Sequence, residues 1–276
     1  MKKIVVLLGF AVLVFGQASA GVVVEMIAGD PETGGEAKID KIYAKGGMLR
    51  MDPHPEDGAD DATVLFRDDT LWLIDHQEKR AHRVDKEGME KVSAQISAAM
   101  KQMEVQMAQL PPEQQEMMKK MMRERMPAMA GALEGEAPER RVEKGAAEKI
   151  GGYACTAYTM FSGERKVWEV CAASESELGS DAHEVIVAVR GMSNFAEQLR
   201  EAVRQTPFAE IVDTPFQAMD EIEGFPIRVR GFGAGGAIDD VSTLRSITPE
   251  ELGDELFAVP DGYEVVNLAD QVGQGR

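Results

Sequence analysis

Tyr153-Ala-Cys-Thr-Ala-Tyr-Thr-Met-Phe161 and Arg165-Lys-Val-Trp-Glu-Val-Cys-Ala-Ala173 flank Ser162-Gly163-Glu164 and read as two strands joined by a three-residue loop. Both flanks carry aromatic and β-branched residues, and the glycine between them marks a hairpin. Cys155 and Cys171 are symmetric about Gly163. That symmetry sets them directly opposite each other. It also sets Tyr158 opposite Trp168 and Thr156 opposite Val170 on the other face, the core face. In an oxidising compartment the pair is expected to form a disulfide. Closing a loop of about sixteen residues is worth roughly 3 kcal/mol in the chain-entropy model. The sequence has no Cys-x-x-Cys to support a redox pair.

Outward from this hairpin the strands multiply. Upstream, residues 21–27, 38–45, 48–52, 62–67, 70–75 and 80–85 read as short strands. Gly46-Gly47 and Asp68-Asp69 are tight links, and 52–61 is an acidic loop. Strands joined by local turns pair antiparallel, because parallel pairs need long crossovers. Strand character resumes near Arg141, ahead of the central hairpin. Downstream, Val185, Ile186, Val189, Met192, Phe195, Leu199 and Val203 share one face of a helix over 183–205. Pro207-Phe208 and Pro215-Phe216 punctuate an irregular stretch. Residues 225–232 and 237–247 form a last hairpin around Gly233-Ala-Gly-Gly. Thr248-Pro249-Glu250-Glu251 has the pattern of a capping box and predicts a short helix. Phe257 and Tyr263 flank a turn at Pro260 and Gly262 that can lay both rings on the core.

Residues 87–130 interrupt the strands with a Met-rich helical hairpin. Met89, Val92, Ile96, Met100, Met103, Met107 and Leu110 form one narrow stripe, and Pro111-Pro112 stops that helix. Met117, Met118, Met121, Met122, Met126 and Met129 form the broad face of a second helix, opposite Lys119, Lys120, Arg123 and Glu124. Methionine serves as adaptable apolar filler, as a flexible pocket wall, or as a soft ligand for Cu(I). No His or Cys accompanies these thioethers, and amphipathicity accounts for their spacing. The basic face opposite them suits a headgroup surface. His76 and His82 stand near one turn with only Asp75 as a third ligand candidate. They read as two exposed turn histidines rather than a metal site.

With 276 residues and 44% apolar composition the chain can bury a core and is not wholly disordered. A formal charge of −18 argues against nucleic-acid binding. Lys2 and Lys3, the apolar run 4–15 and Ala18-Ser19-Ala20 make a secretory signal over 1–20. Cleavage after Ala20 leaves a single periplasmic domain, 21–276, beginning at Gly21. Two cysteines exclude a disulfide-rich scaffold. Serines lack nucleophile-elbow context, and the glycines at 233–236 lack the strand and helix of a phosphate loop.

Three segments resemble a domain-of-unknown-function family of exported bacterial proteins, itself similar to the lipoprotein-carrier (LolA/LolB-like) half-barrel. They are Thr70-Leu-Trp-Leu-Ile-Asp-His-Gln-Glu-Lys, Gly151-Gly-Tyr-Ala-Cys155 with Cys171, and Leu256-Phe257-Ala-Val-Pro260-Asp-Gly262-Tyr263. The resemblance implies an α+β fold, a curved antiparallel half-barrel sheet around packed helices, with an apolar concavity. It implies no catalytic residues and no cofactor. The expected function is therefore a non-enzymatic periplasmic carrier for a hydrophobic ligand, a lipid or an acylated protein. An envelope interaction module and a copper-handling protein are the alternatives. Candidate ligand-binding residues are Trp72, Ile74, Tyr158, Trp168, Met117, Met118, Met121, Met122 and Met126. An envelope protein or a membrane surface is a candidate partner.

Overall fold

The structure is a computed structural model, and its described residues are 20–29, 38–52, 62–125, 139–203, 219, 221–233, 235–267 and 270. Twelve strands form one open sheet: β1 (Ala20–Ala28), β2 (Lys38–Lys45), β3 (Met48–Asp52), β4 (Ala62–Arg67), β5 (Thr70–Asp75), β6 (Arg80–Val84), β7 (Arg140–Ile150), β8 (Tyr153–Ser162), β9 (Arg165–Ala173), β10 (Phe225–Phe232), β11 (Ile238–Glu251) and β12 (Glu264–Asn267). Their order is β12-β6-β5-β4-β3-β2-β1-β11-β10-β9-β8-β7. Every ladder is antiparallel except β12 on β6. Three long helices accompany the sheet: α1 (Lys86–Ala108), α2 (Pro112–Arg125) and α3 (His183–Val203). The fold is thus α+β, an open curved sheet with packed helices and a two-helix Met-rich insert between β6 and β7. Residues 1–19 of the signal segment, the exit at 131–138 and the two Pro-Phe pairs lie outside the described residues, and Ala20 is the first residue of β1.

Register and turn chemistry explain the curvature. Asp68 and Asp69 both adopt φ 50°, the left-handed pair of a two-residue turn that short acidic side chains tolerate. None of the ladders from β1–β2 to β5–β6 is irregular. All five ladders from β1–β11 to β7–β8 contain a register shift. Each extra residue bends its strand and raises the local twist, so this half of the sheet curls. The shift between Met160 and Phe161 also corrects the expected pairing of the central hairpin. Ser162 pairs with Arg165, so the loop has two residues, led by Gly163 at φ 59°. Tyr158 faces Val170 and Met160 faces Trp168. Cys171 stands opposite Ala157, not Cys155. The disulfide forms all the same, diagonally, across a Cα–Cα distance of 5.6 Å.

The sheet is buried on two faces by different parts of the chain. On the concave face Val22, Val24, Met26, Leu49, Phe66, Tyr158, Met160 and Val170 pack with Val185, Val189, Met192 and Phe195 of α3. The rings of Phe66 and Phe195 are 5.6 Å apart. Helix α1 joins this core through Met89, and Val92 in its next turn is buried as well. Asp85 caps it, accepting a hydrogen bond from the Gly88 N–H at 2.7 Å. The rest of its predicted stripe is half-buried, and Met117, Met118 and Met121 of α2 are exposed. On the convex face Val23, Leu65, Ile74 and Ala81 pack under Leu252 and Phe257, with Tyr43, Trp72 and Tyr263 around them.

The C-terminal tail is the second place where the structure departs from expectation. Thr248-Pro249-Glu250-Glu251 opens no helix and continues β11, with Thr248 paired to Val23 and Pro249 to Val22. The β10–β11 ladder ends at Thr243, so Pro249 withholds its missing N–H only from an open edge. The helical turn comes later, at Asp254–Phe257. Beyond it a strand not foreseen in the sequence, β12, adds itself to β6. His76 is not an exposed turn residue. Its Nε2 lies 2.9 Å from the Thr63 hydroxyl and its Nδ1 lies 2.9 Å from the Tyr263 hydroxyl. Arg50 Nε donates to both Asp52 oxygens at 3.0 Å, and Thr63 donates to Asp52 at 2.6 Å. Arg50 and Arg67 also donate to the carbonyls of Leu256 and Phe257. A polar chain therefore clasps the tail to the sheet.

Phe257 is 0% exposed. Phe257→Ala is expected to cost about 3–5 kcal/mol, read as a lower denaturation midpoint, whereas an unchanged midpoint would mean the tail is a loose appendage. Lys45 donates to Asp254 at 2.8 Å and holds that carboxyl below its ordinary value. A depressed carboxylate stabilises the fold above the unfolded-state pKa and loses that contribution as pH falls through the folded one. Asp254→Asn should accordingly flatten the acid limb of the stability curve. Because the pair is exposed, the effect is small, and an acid limb as steep as in the parent would exclude it.

Candidate functional site

No single motif builds the site. It arises where the two halves of the sheet meet along β1 and β11. Under α3 at this seam lies a hollow of about 380 Å³. Met26, Ile42, Leu49, Met51 and Val64 line it from β1–β4, and Trp168, Phe225, Pro226 and Val229 line it from β9 and β10. Val189 of α3 closes it from above. Period-2 alternation puts these side chains on one face: Ile42 pairs with Met51 and with Val24, and Met51 with Val64. The polar members of the wall are Asp40, Lys41, Asp52, Asp240 and Ser242. A second cleft of about 460 Å³ lies beside α3, lined by Glu175, Arg190, Asn194 and Glu223 among others. Its wall mixes apolar Ile186, Met219 and Ile222 with these polar and oppositely charged side chains, whereas the hollow is more strongly apolar with a few polar groups, the composition of a small-ligand site.

The wall of the hollow is shaped by one glycine. Gly231 pairs with Trp168, and a Cβ on it would stand 2.8 Å from the indole ring. The missing side chain lets the indole lie flat on β10.

The structure distributes the sequence-derived candidates over three places. Trp168 lines the hollow. Tyr158 is on the same face but buried in the core, its hydroxyl accepting the Glu223 N–H at 3.3 Å. Ile74 is 1% exposed, under the tail on the convex face. Trp72 flanks that cluster, with the Arg83 guanidinium 6.0 Å from its ring centroid. Met117, Met118 and Met121 are exposed on α2. The side chain of Met122 and the whole of Met126 lie outside the described residues. Sequence reasoning passed over Met26, Ile42, Met51, Val64 and Val229. Alternation within each strand marked them as one-faced, but only sheet order shows that these faces converge. Among the described residues no cluster of three or more His, Cys, Asp or Glu is arranged to hold a metal ion. No helix among them is long and apolar enough to cross a membrane.

The family model described as "Domain of unknown function (DUF4412)" matches residues 46–263. The chain is similar in structure to an uncharacterized conserved protein from Thermus thermophilus, with a TM-score of 0.44 and 7% identity, covering 90% of this chain and 91% of that one. It is also similar to a LolA superfamily protein from Nitrosomonas europaea, with a TM-score of 0.26 and 11% identity, covering 88% of this chain and 91% of that one. No curated protein matches the chain.

Gly231→Ala tests the seat of Trp168. The added methyl must displace the indole, at a cost of about 1–3 kcal/mol for overpacking. In a Trp72→Phe background the emission of Trp168 should shift on this substitution. An unchanged spectrum would mean the ring is not held against β10.

Proposed function

The chain belongs to the DUF4412 family of domains of unknown function, and on that premise we propose that it is a non-enzymatic carrier for a hydrophobic ligand, a lipid or an acylated protein. The observation that carries this reading is the apolar hollow at the seam. A water's share of liquid volume is about 30 Å³, so a 380 Å³ hollow takes roughly a dozen methylene-sized groups. Each buried methylene contributes about 0.8 kcal/mol, or about 10 kcal/mol for a dozen, and an association cost of at least about 4 kcal/mol leaves binding in the range of tens of micromolar or weaker. Met26 and Met51 add walls that adapt to different chains.

The same proposal places the protein in the periplasm, with its signal removed after Ala20. The buried Cys155–Cys171 disulfide supports it, since such bonds persist in oxidising compartments. The exposed Met117, Met118 and Met121 of α2 supply a separate apolar strip for contact with a donor or acceptor, an envelope protein or a membrane surface.

Binding of an environment-sensitive apolar dye tests the hollow directly. Val229→Trp fills it from β10 and should weaken dye uptake by about tenfold or more, ~1.4 kcal/mol, with the fold retained by circular dichroism. Val265→Trp, on the exposed edge strand, should leave uptake unchanged. Uptake that survives the first substitution would place the dye elsewhere and remove the basis of the carrier reading.

A further inference from the structure

We propose that the hollow takes one acyl or alkyl chain of about a dozen carbons, and that the indole of Trp168 sets this limit. The inference rests on the carrier reading and names the class of its ligand. The lining crosses seven neighbouring strands, from Val64 on β4 to Trp168 on β9. Spread over that run, about 380 Å³ makes a narrow trough, one chain wide. Two chains of sixteen carbons would need roughly 900 Å³ or more at ~30 Å³ per group, over twice what the trough holds. A single chain longer than the trough leaves its surplus carbons in water, where they add nothing to binding.

Much of the wall is fixed by the core, since Met26, Leu49, Val189 and Phe225 are buried. Trp168 is only half-buried and stands between two spaces. Beyond it lies a cleft of about 280 Å³, lined by Val167 and Phe232 with Ser162, Arg165 and Asp239. The hollow and this cleft share two residues, Trp168 and Asp240. They lie in one row of the sheet, because Gly231 pairs with Trp168 on one side and with Asp240 on the other. Trp168 alone in that row carries a bulky apolar side chain, so the indole is the partition. Two features of the chain hold it there. Gly231 leaves it a flat seat, since a Cβ would stand 2.8 Å from the ring. The register shift beside Met160 pairs Phe161 with Lys166 and Met160 with Trp168, which leaves Val167 as the extra residue. A bulge re-aims the side chains beside it, so bulge and glycine act on the same ring. Without the indole the two spaces join, and Val167 and Phe232 prolong the apolar wall.

Straight-chain carboxylates of six to sixteen carbons, each below its micelle concentration, compete with the apolar dye for the mature protein. Affinity should rise about fourfold per added carbon and level off at about twelve carbons. Trp168→Leu and Trp168→Ala should carry the rise on by at least about two carbons. Leucine keeps an apolar side chain on the core face, and circular dichroism checks both folds. Phe232 lines the adjoining cleft but not the hollow. Phe232→Ala should therefore leave the break of the parent in place and draw back that of Trp168→Leu. A rise in the parent that stops by eight carbons or runs unbroken to sixteen, or a break that stays put in folded Trp168→Leu, overturns the inference and leaves the carrier reading standing. Failure of every chain length to displace the dye removes the carrier reading, and the inference with it.

Discussion

The pairing of β1 with β11 is the constraint on which the rest depends. Ala20 stands in register with Glu251, and Ala28 with Ser242, so the first strand of the domain is held by one of the last. This pairing joins a regular six-stranded N-terminal ladder to a bulged C-terminal one. Without it there would be two sheets, each with an exposed edge. With it there is one surface, regular in register on one side of the seam and bulged on the other. Trp168 and Val229 reach the hollow from the bulged side of the seam, and Ile42 and Met51 from the regular side. Contacts this distant in sequence form late and slowly, because the loop must close before they contribute.

A sheet this large must cover two faces, and the protein does so with unlike materials. Helix α3 supplies the concave cover as a periodic apolar stripe, which needs only packing. The convex cover is the irregular tail from Leu252 to Tyr263, whose backbone carbonyls have no ladder to join. Arg50 and Arg67 satisfy two of those carbonyls, and the Asp52–Thr63–His76–Tyr263 chain fixes where the tail crosses the sheet. Such a chain adds less net stability than its bond count implies, because its members must first be desolvated. Its value is in position: a slipped tail would strand Arg50 and Thr63 without their partners.

Much of this was legible in the sequence, and the exceptions share a cause. Strand positions, the Met-rich insert, the α3 stripe and the disulfide partners follow from local periodicity and spacing. Thr248-Pro249-Glu250-Glu251 did not. The four residues satisfy a helix-start pattern, but their strand state is imposed by β1, at the far end of the domain, where an open edge tolerates proline. The hairpin register failed for a smaller reason, since one bulged residue near Met160 is invisible to symmetry about Gly163. His76 looked solvent-exposed because its covering group, Tyr263, belongs to the tail. The hollow is the extreme case. Trp168 was singled out as an aromatic on a core face, yet its neighbours in the wall come from strands between 26 and 229, and no window of sequence contains two halves of that wall.

The methionines show why composition alone misplaces a site. Ten of the seventeen lie in 89–129, which directs attention to the insert. The structure puts Met26 and Met51, outside that cluster, at the hollow, and leaves Met117, Met118 and Met121 facing outward on α2. On the proposed carrier reading the same side chain would serve in two ways. Inside, a flexible thioether would let a small cavity accept chains of different shape without a fixed template. Outside, the same flexibility would let an exposed strip meet a surface that is not rigidly complementary. The two places are separated in the fold: the hollow lies at the seam under α3, and the exposed methionines lie on α2, beyond the buried first turns of α1. That reading therefore predicts that changes confined to α2 leave the hollow's own chemistry unaltered.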